Sequence, residues 1–243
     1  MIKLILKLLY FIARKYHKKL NNTLVNTTDT LNFLKKKDEL DVINVGVYKD
    51  SKFLRQHFPN SFHYLFEPNE EYNNDINKNF KYLNYKLFNI GLSNKNCDEN
   101  LILNSSGSTL HKYSFFSGVK SKKFQEKKIK LKKLDNVNEL SNKKKYFMKI
   151  DTEGHELNVL EGARETLKNA NYVLMETRLV PCYEQSYSIE DIFKEMASNN
   201  FKCGLVSEVG LPYKKIYRYL DILWVKQDLY KNFLMDVMEY QDK

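Results

Sequence analysis

Residues 146–163 read YFMKIDTEGHELNVLEGA. Tyr146 to Asp151 is a short, mostly apolar run, the pattern of a buried strand. From Glu153 to Asn169, Leu157, Leu160 and Ala163 recur on one side, so a helix is predicted after it. Asp151, Glu153 and His155 therefore stand together at a strand's carboxyl end and the start of the next helix. The same unit recurs on both sides. Upstream, Val42 to Gly46 is a β-branched run ending in glycine. Asp50-Ser51 then offers a helix N-cap before Phe53, Leu54 and Phe58. Phe62 to Glu67 is a second strand, stopped by Pro68 and followed by a polar helix to about Asn79. Tyr85 to Leu92 is a third strand. Leu101 to Leu103 and Ile129 to Leu131 are shorter strands flanking a long Ser- and Lys-rich excursion. Downstream come a strand at Tyr172 to Glu176, a helix at Ile189 to Ser198, and strands at Phe201 to Val206 and Tyr219 to Val225.

Alternating strands and helices imply a mainly parallel sheet with helices on both faces. The last two strands have no helix between them and are expected to pair antiparallel. Ligands of open sheets bind at the carboxyl ends of the strands. Function is therefore sought at Gly46, Glu67, residues 91–94, residues 151–155 and Glu176.

Composition fits one domain. The chain has 243 residues, 42% of them hydrophobic and 14% aromatic, which excludes wholesale disorder. Three cysteines without a C-x-x-C pair argue against a disulfide framework or a structural zinc site. His57 and His63 have no acid partner at metal-ligand spacing, so no metal site is expected. A reducing, cytoplasmic compartment fits these cysteines. The balance of 40 basic against 30 acidic side chains gives +10. The basic residues are spread along the chain, and no zinc finger or RNA-binding aromatic signature occurs, so a nucleic-acid partner is not expected.

The first residues, MIKLILKLLYFIARKYHKKL, place Lys3, Lys7, Arg14 and Lys18 on one helical face. Ile2, Ile5, Leu9, Ile12 and Tyr16 line the other. The apolar run is too short to span a bilayer or to form a signal-peptide core. Residues 1–20 are thus predicted to be a basic amphipathic helix. It either lies peripherally on the inner face of an anionic membrane or packs on the protein itself or a partner subunit. A polar linker completes residues 1–30, and residues 31–243 form the main domain. The oligomeric state is left open.

The turn Asn44-Val45-Gly46-Val47-Tyr48-Lys49-Asp50 matches neither a dinucleotide nor a phosphate-loop fingerprint. Glu67, about twenty residues on, has the spacing of an acid that accepts bonds from ribose hydroxyls. Taken together, several segments in order resemble the FkbM family of S-adenosylmethionine-dependent methyltransferases. They are Asn44-x-Gly46, Phe66-Glu67-Pro68, Ser108-Thr109-Leu110, Leu134-Asp135 and Lys149 to Ala163. The resemblance spans about residues 40–226, and KIDTEGHELNVLEGA is its most specific part.

That resemblance implies a seven-stranded Rossmann-like sheet with a reversed final strand. It also implies S-adenosylmethionine as methyl donor and a small-molecule or glycan acceptor, commonly a hydroxyl. By position, the Asn44 to Gly46 turn would face the donor's methionine part and Glu67 its ribose, with Tyr48 and Asp50 also counted among the donor-binding residues. Asp151 and Glu153 would sit at the carboxyl end of the fourth core strand, beside donor and acceptor. The family's usual first motif is Asp-x-Gly-Ala-Asn-x-Gly, and Asn44, Val47, Tyr48 and Asp50 depart from it. Either Asp50 caps the next helix while Tyr48 reshapes a working pocket, or the donor site is impaired and the domain is a binding scaffold at a membrane. A nucleic-acid-directed methyltransferase is the remaining alternative. Asp151, Glu153 and His155 are the candidate bases for a hydroxyl acceptor. Each has a structural alternative: Asp151 orients neighbours, Glu153 favours a helix start, and His155 is a solvated helix residue. Glu176 and Arg178 are read as either functional or a buried ion pair.

Overall fold

The computed structural model describes Leu34 and residues 40–119, 123–140, 144–210 and 217–241. The amphipathic stretch 1–20 and the linker after it lie outside the described residues.

Seven strands make one sheet in the order β3-β2-β1-β7-β8-β10-β9. They are β1 (Asp41–Val45), β2 (Phe62–Phe66), β3 (Asn84–Phe88), β7 (Tyr146–Ile150), β8 (Ala170–Arg178), β9 (Phe201–Val209) and β10 (Tyr219–Lys226). The first five are parallel, and β10 runs antiparallel to both β8 and β9. The chain order reverses at β1, which has β2 on one side and β7 on the other. This is the Rossmann-like arrangement expected from the sequence, including its reversed closing strand.

Both faces are covered because the central strands are apolar throughout. All five residues of β1 are buried. One face packs Ile43, Met148, Ile150 and Met175 against Val159 and Leu160 of α3 (Glu156–Glu161). Ile192 and Met196 of α5 (Ile189–Ser198) extend that layer. The opposite face packs Val42, Phe147 and Leu174 against Leu54 and Phe58, at α1 (Lys52–His57). Phe233 of α6 (Tyr230–Gln241), a helix that the sequence reading does not contain, joins this second layer. At the sheet edge, Ile76 and Phe80 of α2 (Asn73–Phe80) cover Leu65. Among the described residues, no helix is long and apolar enough to cross a membrane.

Two expected elements divide. The single third strand becomes β3 and a two-residue β4 (Gly91–Leu92), which joins β5 (Cys97–Ile102) and β6 (Glu126–Lys132) in a separate small sheet. The division falls at Asn89, whose amide donates to the Glu67 carbonyl and to Asn73. The long helix after Asp151 is likewise split into α3 and α4 (Arg164–Leu167). A β-carbon on Gly162 would lie 2.0 Å from the Ser93 carbonyl oxygen, so the helix breaks where that loop crosses it. Asp135 then caps α4 from outside, accepting from Glu165 N, Thr166 N and Thr166 Oγ1.

The strand ends converge at Gly46. Its amide donates to Phe66 O of β2, while Asp151 N donates to Val45 O. Gly46 has φ +79°, and a β-carbon there would lie 1.9 Å from Asp151 O. Only glycine satisfies both the backbone conformation and the contact. Gly46→Ala is expected to cost roughly 3 kcal/mol or more, from left-handed strain plus displaced backbone. Chemical denaturation of the two proteins checks this, and a loss below about 1 kcal/mol would be inconsistent with so close an approach.

Candidate active site

A cavity of about 230 Å³ opens on this convergence. Its floor is Val45 to Tyr48 with Asp50, and Glu67 and Pro68 form one wall. Asp151 to Glu153 and His155 form another, and Ser105, Ser106, Ser108 and Leu110 of the excursion lie over it.

Glu67 directly follows β2 and is buried among these groups. Its carboxylate accepts from Tyr48 N (2.8 Å, on Oε2) and Asn69 N (2.9 Å, on Oε1). A carboxylate has about four lone-pair sites, so each oxygen retains accepting capacity toward the cavity. Burial pushes the Glu67 pKa up to about 7, against the two amides and nearby Lys149, which pull it down. Tyr48 takes a left-handed backbone (φ +56°), which turns its N–H onto Glu67. Its hydroxyl meets Ser105 Oγ at 2.9 Å, tying the cavity floor to the covering segment.

Asp50 lines the cavity but does not cap α1. Both carboxylate oxygens hold Arg55, at 2.6 and 2.7 Å. Asn44 is the one donor-contact candidate absent from the lining. It is fully buried, and its amide donates to Ser51 Oγ at 2.8 Å. The Ser51 hydroxyl, so occupied, makes no helix cap.

The acids after β7 are arranged by a residue that the sequence reading passed over. Glu156 is completely buried and accepts from Thr152 N, Thr152 Oγ1, Gly154 N and the Tyr187 hydroxyl. These bonds fix a tight loop in which Glu153 (φ +54°) and Gly154 (φ +99°) are both left-handed. The loop carries the Glu153 carboxylate to Arg178 and Tyr183, both of which donate to its Oε2. Burial raises the Glu153 pKa, with Arg178 opposing. Asp151 instead accepts from Lys149 Nζ at 2.8 Å. Burial disfavours the Lys149 charge, yet Asp151, Asp221 and Glu176 hold its pKa above the ordinary value.

Glu176 and Arg178 form the buried ion pair, at 2.6 Å. Asp151, Glu153 and Glu176 bring carboxylate oxygens within 4.8 Å of one another, as metal ligands do. Here Lys149 and Arg178 supply the positive charge among them. His155 is buried, not solvated. Its ring lies 3.0 Å from both Ser93 Oγ and the His111 ring. Burial first, then His111, lowers its pKa to about 3, so it is neutral at physiological pH and weakly basic.

Glu153 also borders a second cavity, of about 260 Å³, with Tyr113, Tyr183, Tyr219, Arg178 and Arg218. The two cavities thus share one carboxylate.

A family model described as the methyltransferase FkbM domain matches residues 41–203. A search of curated proteins returned no match. Three solved structures are similar in fold. The first is magnesium protoporphyrin IX methyltransferase from Synechocystis PCC 6803 with bound SAM: 11% identity, TM-score 0.45, covering 86% of this chain and 79% of that one. The second is a S-adenosylmethionine-dependent methyltransferase from Clostridium acetobutylicum ATCC 824: 9%, TM-score 0.42, 89% and 98%. The third is a TehB-like SAM-dependent methyltransferase from Corynebacterium glutamicum ATCC 13032 Kitasato: 7%, TM-score 0.40, 88% and 97%.

Two outcomes follow from this geometry. Glu156→Ala removes a buried acceptor of several bonds and is expected to lower stability by roughly 3 kcal/mol. Thermal and urea unfolding read this directly, and an unchanged midpoint would reject the loop-fixing role. For Glu67, the folded state holds a proton between pH 4.5 and about 7 that the unfolded state has released. Its contribution to stability therefore falls as pH rises through that window. Nucleoside hydroxyls need the ionised acceptor, so S-adenosylhomocysteine affinity should rise roughly tenfold from pH 6 to pH 8. Calorimetry on wild type and Glu67→Gln tests the pair: the variant should bind more weakly and lose the pH dependence.

Proposed function

The chain belongs to the FkbM family of S-adenosylmethionine-dependent methyltransferases, and from that premise we propose that it methylates a hydroxyl of a sugar or glycolipid. Glu153 is the residue that carries the reading, because it lies on the wall common to both cavities. The cavity floored by Gly46 and Glu67 suits the donor. It has a buried carboxylate with accepting capacity left, beside the Gly46 turn that lines the same opening. Gly46, Tyr48, Asp50, Glu67 and Asp151 would hold the donor there.

When bound, S-adenosylmethionine supplies an electrophilic methyl group on a sulfonium. The chain's own part is to align an acceptor and to take its proton. Glu153 is suited to the second task. Both of its donors meet Oε2, so Oε1 remains for a hydroxyl in the neighbouring cavity. Burial that raises its pKa makes it a stronger base than an ordinary carboxylate. Arg178 and Tyr183 fix its direction, which matters because alignment supplies much of the rate in a displacement. Tyr113, Tyr183 and Tyr219 line the neighbouring cavity, and aromatic groups with polar edges are a combination that a sugar ring matches. Asp151, committed to Lys149, orients the rim, and neutral His155 links Ser93 to the excursion through His111.

An acceptor carried on a lipid also suits the basic amphipathic pattern of residues 1–20, as part of this proposal.

Incubation with methyl-labelled donor and a panel of saccharides, sugar nucleotides and glycolipid extracts tests the proposal. The expected product is an alkali-stable methyl ether on sugar. Glu153→Gln should slow transfer by roughly a hundredfold or more while leaving S-adenosylhomocysteine affinity within about twofold. Label found only in alkali-labile esters or on nitrogen would contradict the reading.

A further inference from the structure

We propose that Lys149 is a placeholder for the donor's own ammonium group. It holds Asp151 and the Gly46 carbonyl until the donor arrives, then moves to a row of acids beside the rim. The inference rests on placing the donor in the cavity of Gly46 and Glu67, and concerns how that site fills. Lys149 Nζ lies 2.8 Å from Asp151 Oδ2 and 3.4 Å from Gly46 O, and its side chain is mostly buried. It thus occupies a carboxylate and a backbone carbonyl on residues that line the cavity. An incoming α-ammonium, three donors on one positive charge, calls for acceptors of that kind. The other acids of the lining are held differently. Arg55 clamps both oxygens of Asp50, Arg178 and Tyr183 hold Glu153, and Glu67 faces two backbone amides.

Lys149 has another place to go. A cavity of about 370 Å³ shares Asp50, Lys149 and Asp151 with the donor cavity and adds Glu176, Glu208 and Asp221. Strand register makes those three acids a row: Asp221 of β10 pairs with Glu176 of β8 on one side and Glu208 of β9 on the other. Like charges directly across strands destabilise a sheet. Arg178 meets Glu176, while among the described residues neither Glu208 nor Asp221 has an ion pair. Burial, then Glu208 and Asp151, push the Asp221 pKa up to about 7, against Lys149 and Arg178. The row is therefore short of positive charge, and Lys149 is within its field: Asp221 and Glu176 join Asp151 in keeping the ammonium protonated despite burial. Exchanging one ammonium for another on Asp151 leaves no buried charge unpaired, which would be costly. Gripping the donor's carboxylate is a poorer role for Lys149, because that carboxylate would stand against Asp151 on the same nitrogen.

Calorimetry with two ligands tests the exchange: S-adenosylhomocysteine, and 5′-methylthioadenosine, which keeps the nucleoside but lacks the ammonium-bearing tail. Lys149→Met removes the competitor, so S-adenosylhomocysteine should bind roughly threefold or more tightly, with methylthioadenosine within about twofold of wild type. Unchanged or weaker S-adenosylhomocysteine binding by folded Lys149→Met would overturn the proposal, and weaker binding would assign Lys149 to the ligand's carboxylate. Should that variant not fold, a crystal of the wild type with S-adenosylhomocysteine decides. Lys149 Nζ is expected beside Asp221 or Glu176 there, and Nζ still on Asp151 would sink the exchange. Methylthioadenosine that fails to bind the wild type would strike the donor-site reading, and this proposal with it. Methylthioadenosine that binds normally, while S-adenosylhomocysteine is indifferent to Lys149→Met, strikes the exchange alone.

Discussion

A backbone carbonyl, that of Asp151, occupies the place where any side chain on residue 46 would begin. The rest of the rim depends on that contact. It draws the ends of β1 and β7 together, while the Gly46 amide fastens β1 to β2. Three strands that are neighbours at the order reversal thus deliver Gly46, Glu67 and Asp151 to one opening. A ligand reaching that opening meets the Gly46 turn, the buried Glu67 carboxylate and Asp151 on one lining. The apolar strands beneath make the convergence affordable, since Ile43, Val45, Met148 and Ile150 are almost wholly buried.

The second device on the rim is electrostatic. Four acids, Asp151, Glu153, Glu176 and Glu156, follow or end the two central strands, and left unpaired they would repel one another. Lys149 takes Asp151, Arg178 takes Glu153 and Glu176, and backbone amides take Glu156. Each carboxylate is consequently directed as well as neutralised. Glu156 turns the chain so that Glu153 faces both cavities, at the cost of a left-handed residue without glycine's freedom. Strain of this kind, held by the buried Glu156 carboxylate, fixes the direction in which the Glu153 side chain leaves the loop.

Much of this was legible in the sequence because the signals were periodic. Short β-branched runs alternating with apolar stripes at helical spacing require a covered parallel sheet, and the order of strand-end residues carried the family resemblance. The readings that changed depended on contacts between distant segments. The break at Gly162 follows from the Ser93 loop crossing the helix, which no local pattern announces. Asp50 resembled a helix cap, yet Arg55, one turn on, competes for both its oxygens. Asn44 sat at the right position for a donor contact but lies buried against Ser51. His155 read as a solvated or catalytic histidine because its burial against Ser93 and His111 is set by loops far away in sequence. Glu156 was passed over among the acids of that stretch. Its burial was the missing information.

The claim on which the account turns is that Glu67 receives the nucleoside of the methyl donor. A crystal structure of the protein with S-adenosylhomocysteine addresses it most directly. The account predicts ribose hydroxyl oxygens within hydrogen-bonding distance of Glu67, roughly 2.5 to 3 Å, with the Tyr48 and Asn69 amides still donating to it. Density for the ligand elsewhere on the molecule, or a Glu67 carboxylate bonded only to protein in the complex, would contradict it.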